Sequence, residues 1–445
     1  MRFSDQVELV ADGVTLRTWL EYSIDSKLLT PADGFRMSVG ASTRLDRDDM
    51  RRRLTPGKRI ELFVGSPDVG TGATIRQRGS LQLTGIIDDL KITGERGGGT
   101  VLSVEGRDLA SALVDASVPV DLLRSAGTRL VDLVAAAISP WSGDPYRLTT
   151  VATDDTVGRD ILTGRGDGTD AGRRRGRQAR AHGLPSDRFS RRARLAAEAA
   201  RAPISEYALA EVDARTRAGS ASGLVADDIA RLTTREARPR AGESVWEYLD
   251  RHARRLGVLM WMAPDGRLVL GSIRYDQEAL YRLVRRERSD PNDPNNILSG
   301  EVVRNAADRV SKVTVYGRTR GDDLERASVQ ASVEDPEMTA LGLHRPLIVH
   351  DNQIRTQAEA ERRAKRELAK GRANALVLRY TVSHHGQGRR DGTGPLYATH
   401  RIAAVDDEIA GIRGEYFITD RTFTKSREHG TRTELGLVEK GSIVL

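Results

Sequence analysis

Apolar and polar residues alternate with a period of two through residues 1–120, and this pattern predicts a series of short β-strands. Phe35, Met37 and Val39 fall on one face of one such segment. Similar segments recur along this part of the chain and again toward the C-terminus. The sequence therefore predicts two β-rich units, over residues 1–120 and 291–445, and the strand spacing of the first suggests a small barrel or sandwich.

The region between the two units has a different pattern. Residues 121–241 combine a helical segment with a basic Gly- and Arg-rich insertion in which apolar periodicity fades. Residues 242–290 predict an α+β module, a helix that ends at Gly257 and a hairpin around the Pro-Asp-Gly turn at 264–266. A capping box predicts another helix near residues 356–370. The expected fold class is therefore α+β and β-rich.

Composition narrows the function classes. The chain of 445 residues has no cysteine, which excludes disulfides, thiolate metal ligands and a Cys nucleophile. No apolar run approaches the roughly 18 residues of a membrane-spanning helix, so we expect no membrane insertion by this chain. The net charge is +7, but residues 172–201 alone carry ten arginines against two acidic residues. The basic character therefore belongs to one segment and not to the whole surface.

This Arg segment, residues 172–201, is a candidate docking element. Arginine binds carboxylates and phosphates through paired hydrogen bonds, so the segment suits an acidic protein surface or a nucleic acid. Its single aromatic residue, Phe189, offers little stacking for bases. The candidate partner-binding residues are its clustered arginines: Arg173, Arg174, Arg175, Arg177, Arg180, Arg191, Arg192 and Arg194.

The tripeptide Gly106-Arg107-Asp108 lies between a predicted strand and a predicted helix. We expect Gly106 to adopt a backbone conformation that is costly for other residues. Asp108 should cap the helix that Leu109 begins, and Arg107 should pair with a carboxylate on a neighbouring strand. A catalytic role would need a second polar partner, which the sequence does not offer. We therefore interpret Gly106, Arg107 and Asp108 as a structural corner.

Three histidines, His384, His385 and His400, are candidate metal ligands because two predicted strands bring them near one another. Zinc sites need three or four converging donors, so we interpret these residues as surface histidines at the mouth of a hairpin.

The acidic run at 406–408 is interpreted as a solvated turn. With no phosphate-binding loop, nucleophile elbow or zinc-protease motif, we predict no metal, no cofactor and no enzymatic activity.

The segments "TGIIDDLKIT" and "VEGRDLASALVDASV" resemble the baseplate hub proteins of contractile phage tails, especially the Mu-like tail hub family. In that family a Thr-Gly-Ile/Tyr-Ile-Asp strand leads to a strand ending in Gly-Arg-Asp and then to a helix ending in Leu-Val-Asp-x-Ser, here residues 84–88, 106–108 and 113–117. "GESVWEYLDRHARRLGVLMWMAPDGRLVL" is similar to the middle helix-hairpin, and "GEYFITDRTFTKSREHGTRTELGLVE" to the C-terminal strands. Residues 142–240 depart from the family by being longer and more basic.

The resemblance implies a structural homotrimer with two tube-like β-barrels in each chain, so that three chains form a ring of six similar modules. Such a ring adapts a sixfold tail tube to a threefold central spike. The implied partners are the tail tube protein, the central spike protein and other baseplate proteins, with the tape measure protein as a further candidate. The implied location is the tail baseplate of the virion, assembled in the host cytoplasm.

Two alternatives stay open: a nucleic-acid-binding protein acting through residues 172–201, and the hub of a non-phage contractile injection system, related to type VI secretion spikes.

Overall fold

The chain folds as a β-rich α+β protein, as the sequence predicts. The structure is a computed structural model. It describes residues 4–41, 44–66, 80–94, 99–152, 224, 226–234, 237–317, 329–352, 354–387 and 395–443.

The N-terminal region is built from strands and one helix: β1 (Ser4–Ala11), β2 (Val14–Leu16), β3 (Glu21–Lys27), β4 (Gly34–Ala41), α1 (Arg44–Arg53), β5 (Arg59–Ser66), β6 (Ser80–Gly94) and β7 (Thr100–Asp108). The middle region alternates helices with short strands: α2 (Ser111–Asp115), α3 (Leu130–Ile138), β8 (Thr149–Ala152), α4 (Ala226–Arg231), α5 (Val245–Arg255), β9 (Leu259–Met262) and β10 (Arg267–Gly271). The C-terminal region returns mainly to strands: β11 (Tyr281–Arg285), β12 (Ile297–Arg304), β13 (Lys312–Tyr316), β14 (Gln330–Glu334), α6 (Pro336–Ala340), β15 (Pro346–His350), α7 (Gln357–Ala375), β16 (Leu376–Ser383), β17 (Ile402–Asp407), β18 (Ile412–Ser426) and β19 (Gly430–Glu439).

Strands from both ends of the chain form one sheet of 13 strands. Its main order is β12-β16-β19-β18-β3-β4-β7-β6-β5-β1-β2, and β17 and β11 branch from β18. The two halves join where β18 pairs antiparallel with β3, with Phe423 opposite Ile24. Leu9, Met37 and Leu435 lie with these two residues in a shared apolar core. Among the described strands, no pairing closes either half into a barrel.

Two smaller sheets pack with the helices. Strands β8, β10 and β9 form one of them, and their core includes Trp246 of α5 and Leu133 of α3. The predicted helix-hairpin module is present, with a capping box at Ser244 and Gly257 at a φ of 74° after the helix. Strands β14, β13 and β15 form the other sheet against α7. Helix α7 has both hydrogen bonds of the predicted capping box at Thr356.

The same pairing scheme occurs twice in the large sheet. Strands β3-β4-β7-β6-β5 are connected as β12-β16-β19-β18-β17 are, and every one of these pairs is antiparallel. The long strands β6 and β18 each have 15 residues. Each shifts register by one residue at the same point, after Ile87 in β6 and after Ile418 in β18. The two halves of the sheet are therefore copies of one structural unit.

The strand register also aligns the two copies residue by residue. "FRMSV" at 35–39 corresponds to "LRYTV" at 378–382, and "IIDDLKIT" at 86–93 corresponds to "FITDRTFT" at 417–424. The copies differ at the strand beyond β5, since β1 pairs antiparallel with β5 whereas β11 pairs parallel with β17.

Candidate assembly interface

The eight arginines proposed from the sequence as partner-binding residues lie outside the described part of the chain: Arg173, Arg174, Arg175, Arg177, Arg180, Arg191, Arg192 and Arg194. Their role stays a prediction.

Arg107 of the Gly-Arg-Asp corner bridges two elements. Its guanidinium makes paired hydrogen bonds to Asp88 of β6, at 2.7 and 3.1 Å, and to Asp115 at the end of α2, at 3.0 and 2.7 Å. The bonds to Asp115 lower the pKa of that carboxyl, and the two carboxylates raise the pKa of Arg107. Two carboxylates thus occupy both hydrogen-bonding sides of the Arg107 guanidinium. Its ion pair with Asp88 on the neighbouring strand is the contact that the sequence predicted.

Gly106 is required for a different reason from the one predicted. It is absent from the residues with positive φ, so its backbone conformation is an ordinary one. A Cβ there would instead lie 2.2 Å from the carbonyl oxygen of Ile86 and 2.7 Å from the ring of Phe35. The prediction was wrong because it was based on the chain's local conformation, whereas the constraint comes from neighbouring strands that pack too closely for a side chain.

Asp108 caps the turn that leads into α2. Its Oδ1 accepts a hydrogen bond from the amide of Ala110 at 2.9 Å, and its Oδ2 accepts one from the amide of Asp33 at 3.1 Å. The helix itself begins at Ser111 and not at Leu109, and its N-cap residue, Ala110, makes no side-chain cap hydrogen bond, so the predicted helix cap at Asp108 is wrong. An Asp-turn occupies the first residues after the strand instead. The carboxylate therefore ties the corner to the segment before β4 as well as to α2.

A buried electrostatic group links this corner to the join between the two halves. Burial raises the pKa of Asp33 to about 6, and burial together with the Asp33 charge raises the pKa of Asp108 well above its ordinary range. Arg421 of β18 is 4% exposed and lies 4.0 Å from the ring centre of Phe423. Burial lowers its pKa to about 10, so the guanidinium is still charged at neutral pH, and its charge lowers the pKa of Asp33 against the effect of burial.

Two of the three histidines are not on the surface. His385 is fully buried, with Nε2 2.9 Å from the hydroxyl of Tyr22 and Nδ1 3.2 Å from that of Thr433. His400 is 4% exposed and packs against Trp261. Burial lowers the pKa of both imidazoles, to about 3 for His400. The surface prediction failed because distant strands cover both residues: β3 and β19 provide the partners of His385, and β9 provides the ring beside His400. Both rings are neutral members of the core.

The acidic run at 406–408 is likewise mostly structural. Asp406 and Asp407 are the last residues of β17, and Asp407 is fully buried. Arg285 donates two hydrogen bonds to Asp407, at 2.8 and 2.6 Å, and the hydroxyl of Tyr380 donates a third at 2.9 Å. The solvated-turn interpretation fails for these two residues because β11 pairs parallel with β17 and brings arginines beside them.

The described residues contain no group of three His, Cys, Asp or Glu side chains that could hold a metal ion. In the same part of the chain, no helix has the length and apolar character to cross a membrane.

The large sheet leaves two long strand edges open, and sequence analysis did not identify either. Strand β5 pairs with β6 only as far as Ile86, and the two residues before β5 hydrogen-bond to the backbone of Ile87. Beyond Ile87 the described strands leave the outer side of β6 uncovered. Strand β12 pairs with β16 on one side and ends the sheet on the other. Ile92 on the first edge is 44% exposed, and Leu298 and Val303 on the second are 55% and 37% exposed. Open edges with apolar side chains are surfaces on which strands of another chain add.

Four segments of the chain match known protein families. Residues 6–108 match the N-terminal domain of Mu phage baseplate assembly protein GpP-like proteins, and residues 226–272 match the second domain of baseplate hub protein gp44-like proteins. Residues 309–368 match the third domain of NMB1110-like tail proteins, and residues 370–442 match a tail protein C-terminal domain. The resemblance to phage baseplate hub proteins is thereby confirmed. No curated protein sequence matches the chain.

Solved structures share the fold over nearly the whole chain. A tail protein from Neisseria meningitidis MC58 is 25% identical, with a TM-score of 0.65 over 98% of this chain and 97% of that one. A 43 kDa tail protein of prophage MuSo2 from Shewanella oneidensis is 17% identical, with a TM-score of 0.64 over 99% of both chains. A Francisella PdpA-VgrG complex contains a chain that is 8% identical, with a TM-score of 0.50 over 99% of this chain and 58% of that one.

Proposed function

We propose that this chain is the structural baseplate hub of a contractile phage tail, a homotrimer that connects a sixfold tail tube to a threefold central spike. The families matched along the chain are those of phage tail and baseplate proteins. The observation that carries the proposal is the duplicated unit, since β3-β4-β7-β6-β5 and β12-β16-β19-β18-β17 share one pairing scheme. Three chains then supply six similar modules to a closed ring, and closed rings are the usual form of soluble assemblies.

The same proposal accounts for the open sheet. Each unit forms one segment of a tube-like barrel wall, and the wall closes only when the chains meet in the ring. A sheet that closes on itself removes its unpaired edges, which explains why a single chain can leave β6 and β12 uncovered. The partners are the tail tube protein on one side and the central spike protein on the other, within a virion baseplate assembled in the host cytoplasm.

The mass of the purified full-length chain in solution tests the trimer. Light scattering or native mass spectrometry at micromolar concentration should give a mass of three chains, each of 48.8 kDa. A stable monomer, or a dimer with twofold symmetry, would contradict the proposal. Electron microscopy of the trimer mixed with its tail tube and spike proteins should then show a ring between them.

The Arg segment, residues 172–201, supports a second proposal, that it docks the hub to an acidic neighbour. Its net charge of +8 exceeds that of the whole chain, +7, and such charge density speeds encounter with an acidic surface. Deletion of residues 172–201 should leave the trimer intact and reduce its incorporation into baseplates. Incorporation of the parent should fall with added salt, whereas that of the deletion variant should change little. Steep salt-dependent DNA binding that is lost on deletion would instead favour the nucleic-acid alternative.

A further inference from the structure

The join between the two halves is made by edges that occur a second time in the chain. Residues Asp420 to Lys425 of β18 pair with Lys27 to Tyr22 of β3. In the repeated unit, β6 corresponds to β18 and β12 corresponds to β3. Both counterparts are strand edges that the described strands leave open. One chain therefore contains one complete junction, between β18 and β3. It also has two unpaired strand edges, on β6 and β12, that correspond to the two sides of that junction.

We propose that the open end of β6 pairs antiparallel with β12 of the next copy of the chain, in the register of the internal β18–β3 junction. The proposal rests on the trimer described above and specifies which strands make its interface. Transfer of the internal register places Leu90 opposite Arg304, Lys91 opposite Val303, Ile92 opposite Val302 and Thr93 opposite Glu301.

Exposure at equivalent positions agrees with this pairing. Phe423 and its partner Ile24 at the internal junction are both fully buried. Ile92, the counterpart of Phe423, is 44% exposed, and Val302, the counterpart of Ile24, is only partly buried at the margin of the core. In the proposed register Ile92 and Val302 lie side by side on the core face, so the contact would extend the apolar core from one copy into the next.

The other face of the proposed pair carries Lys91 and Thr93 of β6 opposite Val303 and Glu301 of β12. Residues two apart on facing strands are diagonal neighbours on one face of a sheet. Lys91 is thus a diagonal neighbour of Glu301, which in its own chain lies 3.4 Å from Arg379 on an exposed surface. A shift of the register by one residue would place Ile92 on the solvent face and Lys91 on the core face, so the pattern disfavours odd shifts. The internal β18–β3 junction sets the alignment among the remaining ones.

The two edges are different surfaces, so the contact is head-to-tail. Each copy offers its β6 edge to one neighbour and its β12 edge to the other, and such contacts close into a ring when the rotation between copies allows it. A contact of β6 with β6, or of β12 with β12, would instead pair only two copies, which separates the proposal from a simple edge-to-edge dimer.

Disulfide trapping in the full-length chain tests the register, and the absence of native cysteine leaves no competing thiol. Ile92→Cys with Val302→Cys places two thiols on directly opposed residues, whose Cα separation of about 4.5–5.5 Å suits a disulfide. Mild oxidation should give disulfide-linked dimers and trimers on a non-reducing gel, and reduction should remove them. A second pair, Thr93→Cys with Glu301→Cys, makes the same test on the solvent face without altering the core.

The matched control is Ile92→Cys with Val303→Cys, which is one residue out of register and puts the thiols on opposite faces of the sheet. It should crosslink far less than either in-register pair, and the single-cysteine variants should not form disulfide-linked trimers. The mass of each unoxidised variant is measured in parallel. A trimer that crosslinks in neither in-register pair, or better in the control, overturns this interface while the proposed function stands. Monomers of the native chain overturn both.

Discussion

Removal of the Asp407 carboxylate should strongly destabilise the C-terminal half of the sheet. Asp407 is fully buried at the end of β17. It accepts hydrogen bonds from Arg285 at 2.8 and 2.6 Å, from the Tyr380 hydroxyl at 2.9 Å and from the Ala410 amide at 3.1 Å. Burial alone would raise the pKa of Asp407, but the Arg285 ion pair and the other hydrogen-bond donors hold this pKa below its ordinary value. Loss of one partner from a buried ion pair costs about 3–5 kcal/mol.

The neighbouring Asp406 provides a matched control on the same strand. Asp406 binds Arg286 at 2.6 Å and Arg413 at 3.0 Å. Without Asp406, Arg286 keeps Asp293 as a partner at 2.8 Å, and Arg413 is already 80% exposed. Asp406→Ala should therefore cost no more than about 1 kcal/mol. In urea unfolding followed by tryptophan fluorescence, Asp407→Ala should unfold at a clearly lower midpoint than Asp406→Ala.

Two further measurements separate the buried charge from general damage. The double variant Asp407→Leu with Arg285→Met removes both charges and should recover most of the lost stability, since apolar residues often replace a buried pair without loss. Because the pKa of Asp407 is lowered in the folded chain, its contribution is present at neutral pH and disappears as the pH falls through that value. The deficit of Asp407→Ala should therefore shrink in acid. Equal midpoints for Asp407→Ala and Asp406→Ala, or no recovery in the double variant, would refute the reasoning.

Three other substitutions test the Gly-Arg-Asp corner by the same unfolding assay. Gly106→Ala should cost about 3 kcal/mol, because its Cβ would lie 2.2 Å from the carbonyl oxygen of Ile86; wild-type stability would contradict this steric constraint. Asp108→Ala should cost about 2 kcal/mol, because the buried amides of Ala110 and Asp33 lose their acceptor; an unchanged midpoint would rule out the capping role. Asp33→Asn should flatten the pH dependence of stability. Burial raises the pKa of Asp33 from 3.8 to about 6, so the wild-type contribution falls as pH rises through that interval, and an unaltered slope in the variant would count against it.

Local signals in the sequence were enough to place several elements. The capping box at Thr356 begins α7, and Gly257 follows α5 with the left-handed backbone expected of a helix end. The Pro-Asp-Gly turn at 264–266 joins β9 to β10 as predicted. Each of these helix ends and turns depends on residues within a few positions of one another, so the local sequence is enough to predict it.

The failed interpretations all involve contacts between distant parts of the chain. Asp407 lies beside Arg285 because β11 and β17 pair in parallel across more than a hundred residues. His385 is buried because strands from the two ends of the chain, represented by Tyr22 and Thr433, surround it. Local composition makes both segments resemble surface turns. Only the strand pairing shows that the polar groups are buried and satisfied.

The duplicated unit was visible in the sequence only as two β-rich regions. "IIDDLKIT" and "FITDRTFT" share too few residues to be aligned without the strand register. The alignment becomes secure because both hairpins shift register at one equivalent point, after Ile87 and after Ile418. The open edges follow from that alignment, since each is recognised as the uncovered counterpart of a strand that is paired inside the chain.

The equivalent strands β18 and β6 carry different residues at one position beside their junctions, Arg421 and Leu90. Arg421 of β18 is buried at the internal junction, and its Nε has no hydrogen-bond partner among the described residues, whereas β6 carries Leu90 at the equivalent position. Desolvation of a guanidinium costs several kcal/mol. Strands of one chain can offset this penalty because their pairing loses no translational or rotational freedom of separate molecules. A junction between copies must also overcome that loss, so Leu90 at this position, opposite Arg304 of the next copy, avoids the desolvation of a second guanidinium. The difference between Arg421 and Leu90 thus separates a junction made during folding from one made during assembly.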